Sequence, residues 1–355
     1  MHPPAIPHPY SDLQPYQFWR RSISAVEAHL IDPVTHPRFT VTKDARVATA
    51  GSCFAQHISR RISRSGYRYL VTEDGGGLPA EERTAAGYGL FPARFGNIYT
   101  TVQLLQLFEE AFGEREGVAD AWQRPDGRYV DPLRQQIDLR GFASADCVLQ
   151  DRARHLPCVR SMFEQADIFI FTLGLTEAWR SRIDGTVFSA APGVVGGAFD
   201  PDHHEFVNFS LEETYAALRE FLAKFHIVNP AAKVLLTVSP VPLIATYEDR
   251  SVLSSNTYSK SVLRIAADMA IRDYDWLDYF PSYEIITGSF AGGLYYGPDH
   301  REVNALGVAH AMRCFMHNYT AGGSSGDAPP VSLFDGHQAS CSVICDEDVL
   351  DAARG

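Results

Sequence analysis

The run Ala166-Asp167-Ile168-Phe169-Ile170-Phe171-Thr172-Leu173 constrains this chain more than any other stretch. Aromatic and β-branched residues follow one another there without the polar alternation of a half-solvated strand. A strand of that composition buries both faces, as a central strand does in a parallel sheet covered by helices. Lys233 to Val238 (KVLLTV) repeats the pattern, and Trp276-Leu277-Asp278-Tyr279-Phe280 is a third candidate strand. A shorter apolar run, Val47-Ala48-Thr49-Ala50, meets Gly51-Ser52-Cys53, after which Phe54, Ala55, Ile58 and Ile62 recur at helical spacing. The stretch therefore reads as strand, tight turn and helix.

Helical periodicity marks Thr100 to Phe112, Leu211 to Phe225, Asn256 to Asp273 and Glu302 to Tyr319. Strands that alternate with helices, each strand ending in a short polar motif, describe a doubly wound α/β fold. Such sheets bind ligands beyond the carboxyl ends of their strands. Gly51-Ser52, Gly174 to Glu177 and Ser239-Pro240 are thus expected on one edge. Residues 74–97 and 184–208 read as long irregular loops, and Asp126-Gly127 as a turn in a polar stretch. Residues 1–40 read as an N-terminal arm with one helix that packs on the domain through Trp19, residues 41–320 as the α/β domain, and residues 321–355 as a flexible tail.

The 355 residues carry a formal net charge of −12. An acidic surface argues against nucleic acid and anionic membrane as partners, because a phosphate backbone calls for clustered Lys and Arg. The six cysteines form no CxxC pair, which argues against a structural zinc site and a disulfide framework. The Pro-rich start lacks the basic and apolar regions of a secretory signal, and no later stretch is long and apolar enough to span a bilayer. A cytoplasmic protein without cofactor or metal is the expectation.

Ser52, at the turn from a strand into a helix, has two readings. It caps the helix, as serine commonly does, or its Oγ is a nucleophile whose developing oxyanion the helix N-terminus stabilises. Gly51 permits the tight turn and close substrate approach. Cys53 is the rival nucleophile, expected to be a small buried residue pointing away from the site.

Ala50-Gly51-Ser52-Cys53-Phe54-Ala55 resembles the signature of the GSCFA family. Phe95 to Thr100, Thr172 to Glu177, Thr237 to Val241, Ser259-Lys260 and Tyr279 to Glu284 also resemble that family. The resemblance implies a flavodoxin-like three-layer sandwich with a central parallel sheet, of the SGNH/GDSL hydrolase type, with long inserted loops. It implies Ser52 as nucleophile, and oxyanion donors from Gly96 or Gly89, from Asn97, and from the block Gly174-Leu175-Thr176-Glu177, where Thr176 replaces the usual amide. The activity implied is a serine esterase that removes an acyl group, acetyl in the first instance, from a carbohydrate or glycan ester. An acyltransferase on the same site and a catalytically weak carbohydrate-binding protein are the alternatives.

The base departs from the SGNH pattern Asp-x-x-His. In Asp299-His300-Arg301-Glu302, Glu302 occupies the histidine position and His300 directly follows the aspartate. His300 is expected as general base, with Asp299 or Glu302 nearby. His203 and His204, in the loop Asp200 to Phe206, are the weaker candidates. Neighbouring side chains on an extended loop point apart, which disfavours a metal there. His57 and His310 read as packing or surface residues.

Overall fold

The computed structural model describes residues 8–117 and 120–321. Its centre is a four-stranded, all-parallel sheet in the order β1-β4-β8-β9: β1 (Val47–Gly51), β4 (Ile168–Leu173), β8 (Lys233–Val238) and β9 (Leu277–Tyr279). The register pairs Gly51 with Thr172 and Leu173 with Val238, so the strands end together. The remaining strands are β2 (Trp122–Gln123), β3 (Tyr129–Val130), β5 (Glu177–Ser181), β6 (Val187–Phe188) and β7 (His204–Asn208). The helices are α1 (Ala55–Arg64), α2 (Ala80–Ala85), α3 (Thr101–Phe112), α4 (Ala145–Gln165), α5 (Leu211–Val228), α6 (Val252–Asp273), α7 (Ser282–Thr287) and α8 (Ala305–Tyr319).

Every residue of β4 is buried, and the pleat sorts its side chains by face. Phe169 and Phe171 join Phe108, Phe163, Phe221 and Leu263 from α3, α4, α5 and α6. Ile168 and Ile170 join Ile58, Ile62, Phe315 and Tyr319 from α1 and α8. Two helical layers on one parallel sheet make the expected three-layer sandwich. Local signals set the helix starts. Thr100 with Gln103 and Ser210 with Glu213 form capping boxes, and Asn304 caps α8 through Gly307 N.

Two parts differ from the sequence reading. Residues 184–208 are not irregular throughout: they contain β6 and β7, which pair with β5 in an antiparallel sheet of order β6-β5-β7. Among its described residues the arm holds no α-helix, only short turns at Pro15–Gln17, Arg20–Ser24 and Ala28–Leu30, and Trp19 is 65% exposed. Polar contacts hold the end of the arm instead. His310 Nε2 lies 2.7 Å from Ile31 O, Asn318 Nδ2 donates to Asp32 at 2.7 Å, and Arg38 donates to the carbonyls of Ile271, Tyr274 and Leu277. The turns themselves fully bury no side chain, whereas Ile31 just after them is 2% exposed and Val34 and Phe39 pack against the core. The expected tail lies outside the described residues apart from its first residue, as do Cys341 and Cys345. Among the described residues no helix is long and apolar enough to cross a membrane.

Gly51 ends β1 with φ +130°, and a Cβ there would sit 2.3 Å from Thr172 O. The backbone angle and the contact both exclude a side chain. Gly51→Ala should therefore destabilise the protein by several kcal/mol, read as a steep fall in the thermal midpoint. A midpoint within a degree of the parent would show that β1 and β4 do not meet this closely.

Candidate active site

The three strand ends expected on one edge are there, and the turn after β1 determines what they surround. Ser52 N donates to Thr172 O at 3.1 Å, which ties the turn to β4. The Ser52 carbonyl accepts from Ala55 N at 2.9 Å, but its hydroxyl does not cap α1. The cap position is Phe54, with no side-chain hydrogen bond. Ser52 is 2% exposed, and its Oγ makes no hydrogen bond among the described residues. Buried hydroxyls are nearly always partnered, so a lone one at a strand-to-helix turn calls for a reason. Cys53 is buried as well, at 6% exposure.

Gly174 stands against the serine. A Cβ on Gly174 would lie 3.2 Å from Ser52 Cβ and 3.1 Å from Tyr99 Cδ1. Gly174 N and Leu175 N both donate to Tyr99 O at 3.0 Å, and the buried Lys260 Nζ donates to Gly174 O at 2.8 Å. Ile98 N reaches Gly51 O at 2.9 Å. The 97–99 loop, the Gly174 loop and the serine turn thus form one hydrogen-bonded unit. Asn97 is buried and accepts from Gln56 Nε2 of α1 at 3.3 Å. Gly96, at φ +73°, is half-buried beside it, and its N–H enters no backbone–backbone bond.

The rest of the expected set is arranged differently. Thr176 Oγ1 donates to Asn208 Oδ1 at 2.7 Å, which directs that hydroxyl to β7. Glu177 accepts from Thr246 Oγ1 at 2.7 Å, and burial pushes its carboxyl above the usual range despite that bond. His300 is exposed, at φ +55°, and its N–H donates to Gly297 O at 3.0 Å. Asp299 accepts from Arg301 N and Glu302 N at 3.1 Å, so its carboxylate shapes the loop instead of holding the imidazole. Glu302 is exposed. The loop rests on the same sheet edge, through Arg301 Nε to Pro242 O at 3.2 Å and Tyr296 OH to Pro240 O at 2.9 Å. Among the described residues no hydrogen bond joins His300 to Ser52, whose Oγ has no partner there.

His203 pairs with Asp200 at 2.9 Å, and His204 packs edge-on to Trp122 and Phe188. His204 begins β7, and His203 lies in the turn that precedes it. Burial, with Arg60 nearby, lowers His57 to about 4. Among the described residues no cluster of three His, Cys, Asp or Glu side chains could hold a metal.

A buried ionic network is the feature that sequence reasoning did not find. Asp131 accepts from Arg134 Nε at 2.9 Å and Arg152 Nη2 at 2.6 Å, and Asp151 accepts from Arg94 and Arg134, each at 2.9 Å. Glu73 meets His155 Nδ1 at 2.6 Å and Arg94 N at 2.7 Å. Burial alone would raise the Glu73 and Asp131 carboxyls. The bonds from His155 and Arg94 N to Glu73, and the guanidiniums of Arg134 and Arg152 beside Asp131, hold both well below the ordinary range. Burial, and Arg134 beside it, lower the His155 imidazole from its ordinary value, and its Nε2 is buried without a partner among the described residues. Arg94 adjoins the 95–99 loop, so the network fixes the backbone that faces Ser52.

Glu110 of α3 borders this network on a cavity of about 40 Å³ lined also by Asn97, Arg134, Arg152 and His155. Its carboxyl has no hydrogen bond among the described residues, and burial, outweighing Arg152, raises it to about 7. A carboxyl raised on folding is fully tolerated below its unfolded value, about 4.3, and costs stability as pH rises through 7. Glu110→Gln should therefore raise the thermal midpoint by a few degrees at pH 8 and leave it nearly unchanged at pH 4. A gain confined to pH 4, or a loss at pH 8, would show that Glu110 is a paired carboxylate.

No curated protein and no solved structure matches the chain. The sequence model of the GSCFA family matches residues 46–315, most of the 355-residue length, including the serine turn, the Asn97 and Gly174 loops and the His300 loop. The protein belongs to the GSCFA family.

Proposed function

We propose that this chain is a serine-dependent hydrolase of the SGNH type, which removes an acyl group, acetyl in the first instance, from a carbohydrate ester through an acyl-Ser52 intermediate. One observation carries the reading: the Ser52 hydroxyl sits on a turn only glycine allows, at a helix N-terminus, buried, and committed to no hydrogen bond. A structural serine there would cap α1, and Phe54 occupies that position instead. In the first step Oγ attacks the ester carbonyl, its proton passes to a base, and the sugar alcohol leaves. In the second, water takes the acyl group to a carboxylate and restores the serine. The Gly96 N–H is the donor this reading assigns to the oxyanion, since the N–H groups of Ala55, Gln56 and His57 in the first turn of α1 donate to the carbonyls of Ser52, Cys53 and Phe54. His300 is its general base, since its loop rests on the same edge through Arg301 and Tyr296.

A second reading has its own support. Ser52 is 2% exposed, and Glu302 stands where the resemblance implies histidine. A carbohydrate-binding protein with a silent serine would look the same. A transferase shares the whole site and differs only in passing the acyl group to a second alcohol in place of water.

Kinetics with p-nitrophenyl acetate separate these outcomes. Ser52→Ala should abolish turnover and leave the thermal midpoint unchanged or slightly higher, because it removes an unpartnered buried hydroxyl. A fall of about 1 kcal/mol in stability with activity intact would mean that Ser52 serves as a cap after all.

His300→Ala should cost on the order of 10²–10⁴-fold in acylation rate and remove the limb near neutrality that an imidazole base produces. If that variant is silent while His203→Ala or His204→Ala is not, the base comes from β7 or the turn that precedes it. A wild type inert to every short acyl ester would contradict the hydrolase.

A further inference from the structure

A cavity of about 220 Å³ is lined by residues of β5, β6 and β7 together with Tyr99, Leu175 and Tyr247. Its lining includes Tyr99, Leu175, Trp179, Phe206, Tyr247 and Glu177. Tyr99 is also the residue whose ring stands 3.1 Å from the Gly174 Cβ position, with Ser52 on the other side of that glycine. Tyr99 thus links the cavity lining to the Gly174–Ser52 contact.

Its chemistry is specific. Trp179 meets Tyr247 with ring centroids 4.9 Å apart and Phe206 at 5.9 Å, and Tyr247 meets Phe206 at 5.3 Å. Rings this close touch one another, so they make a continuous apolar wall and leave no gap for a cation between their faces. Glu177 stands beside the wall. Its Oε1 accepts from Thr246 Oγ1 at 2.7 Å and its Oε2 from Tyr247 N at 3.4 Å. An ionised carboxylate offers about four acceptor positions, so the remaining ones are open to further donors. An apolar wall beside an acceptor with spare capacity suits a ligand that has a flat C–H face and a rim of hydroxyl donors.

We propose that this cavity is a pyranose subsite, in which the sugar ring lies on the Trp179–Phe206–Tyr247 wall and gives hydroxyl hydrogen bonds to Glu177. Its existence stands on the cavity alone; its role as the sugar side of an acyl ester rests on the hydrolase reading. A ring seated there carries a substituent past Tyr99 toward Gly174 and Ser52.

The experiment uses the full-length Ser52→Ala protein on an array of mono- and oligosaccharides, with affinities then measured by calorimetry. Using that variant keeps binding separate from turnover. At least one pyranoside should be retained. Tyr247→Ala, a change at a residue that is 66% exposed and outside the core, should weaken binding about tenfold or more, as should Glu177→Gln. Far-ultraviolet circular dichroism and a parental melt confirm that each variant is folded. Retention of no carbohydrate, or retention that both variants leave intact, overturns the proposal. Saturable binding of tetramethylammonium in the same site overturns it too, in favour of a cation pocket. Sugar binding by a protein whose wild type cleaves no ester supports the subsite and contradicts the hydrolase.

Discussion

The contact between Gly51 and Thr172 is the constraint on which the site depends. At the end of β1 the backbone passes so close to β4 that the space for a Cβ is already occupied by Thr172 O. That approach lets Ser52 N bond to Thr172 O and turns the chain directly into α1. The serine is held where edge strand β1 meets central strand β4 and cannot drift with a surface loop. Gly174 repeats the device on the neighbouring strand, where Tyr99 and Ser52 fill the space of its missing side chain. Two glycines thus allow three loops to meet at one hydroxyl.

The surroundings of that hydroxyl are organised by charge as much as by packing. Arg94, Arg134 and Arg152 interleave with Glu73, Asp131 and Asp151, all with little or no exposure. Such a network gains little net stability, because desolvation opposes attraction. Its effect is directional: an ion left without its partner is costly, so few arrangements of the connecting loops are permitted. The rigid 95–99 loop beside Ser52 follows from that. So does the carboxylate-held imidazole of His155, whose Nε2 has no partner among the described residues.

Much of the fold was legible because its signals are local. The apolar runs of β4 and β8 announce burial on both faces, and the glycine before Ser52 announces the turn. The remainder was hidden for physical reasons. The buried face of α4 carries Asp151, Arg152 and His155, and the helix contains Pro157, so apolar periodicity fails to mark it. Strands β5 and β7 are half-buried at nearly every position, which erases the alternation that identifies a strand. The ionic network joins residues 57 and 82 positions apart in sequence, a separation no local pattern reports. Trp19 misled in the other direction: a large aromatic in a Pro-rich arm suggested an anchor, and the arm is held instead by backbone carbonyls and by Ile31, Val34 and Phe39. Among the site residues, Ser52, Gly51, Gly174 and Asn97 come together on the edge, whereas Thr176 and Asp299 bond elsewhere.

The central claim is that the Ser52 hydroxyl takes up an acyl group. The direct measurement is rapid acid quenching of the wild-type protein mixed with an excess of an acetyl ester, followed by intact-mass and peptide mass spectrometry. The account predicts a transient species heavier by one acetyl group, with the modification on the peptide that begins the α1 turn and on Ser52 within it. An ester that turns over with no acylated species at any quench time, or with the acyl group on Cys53 or on a lysine, would contradict it.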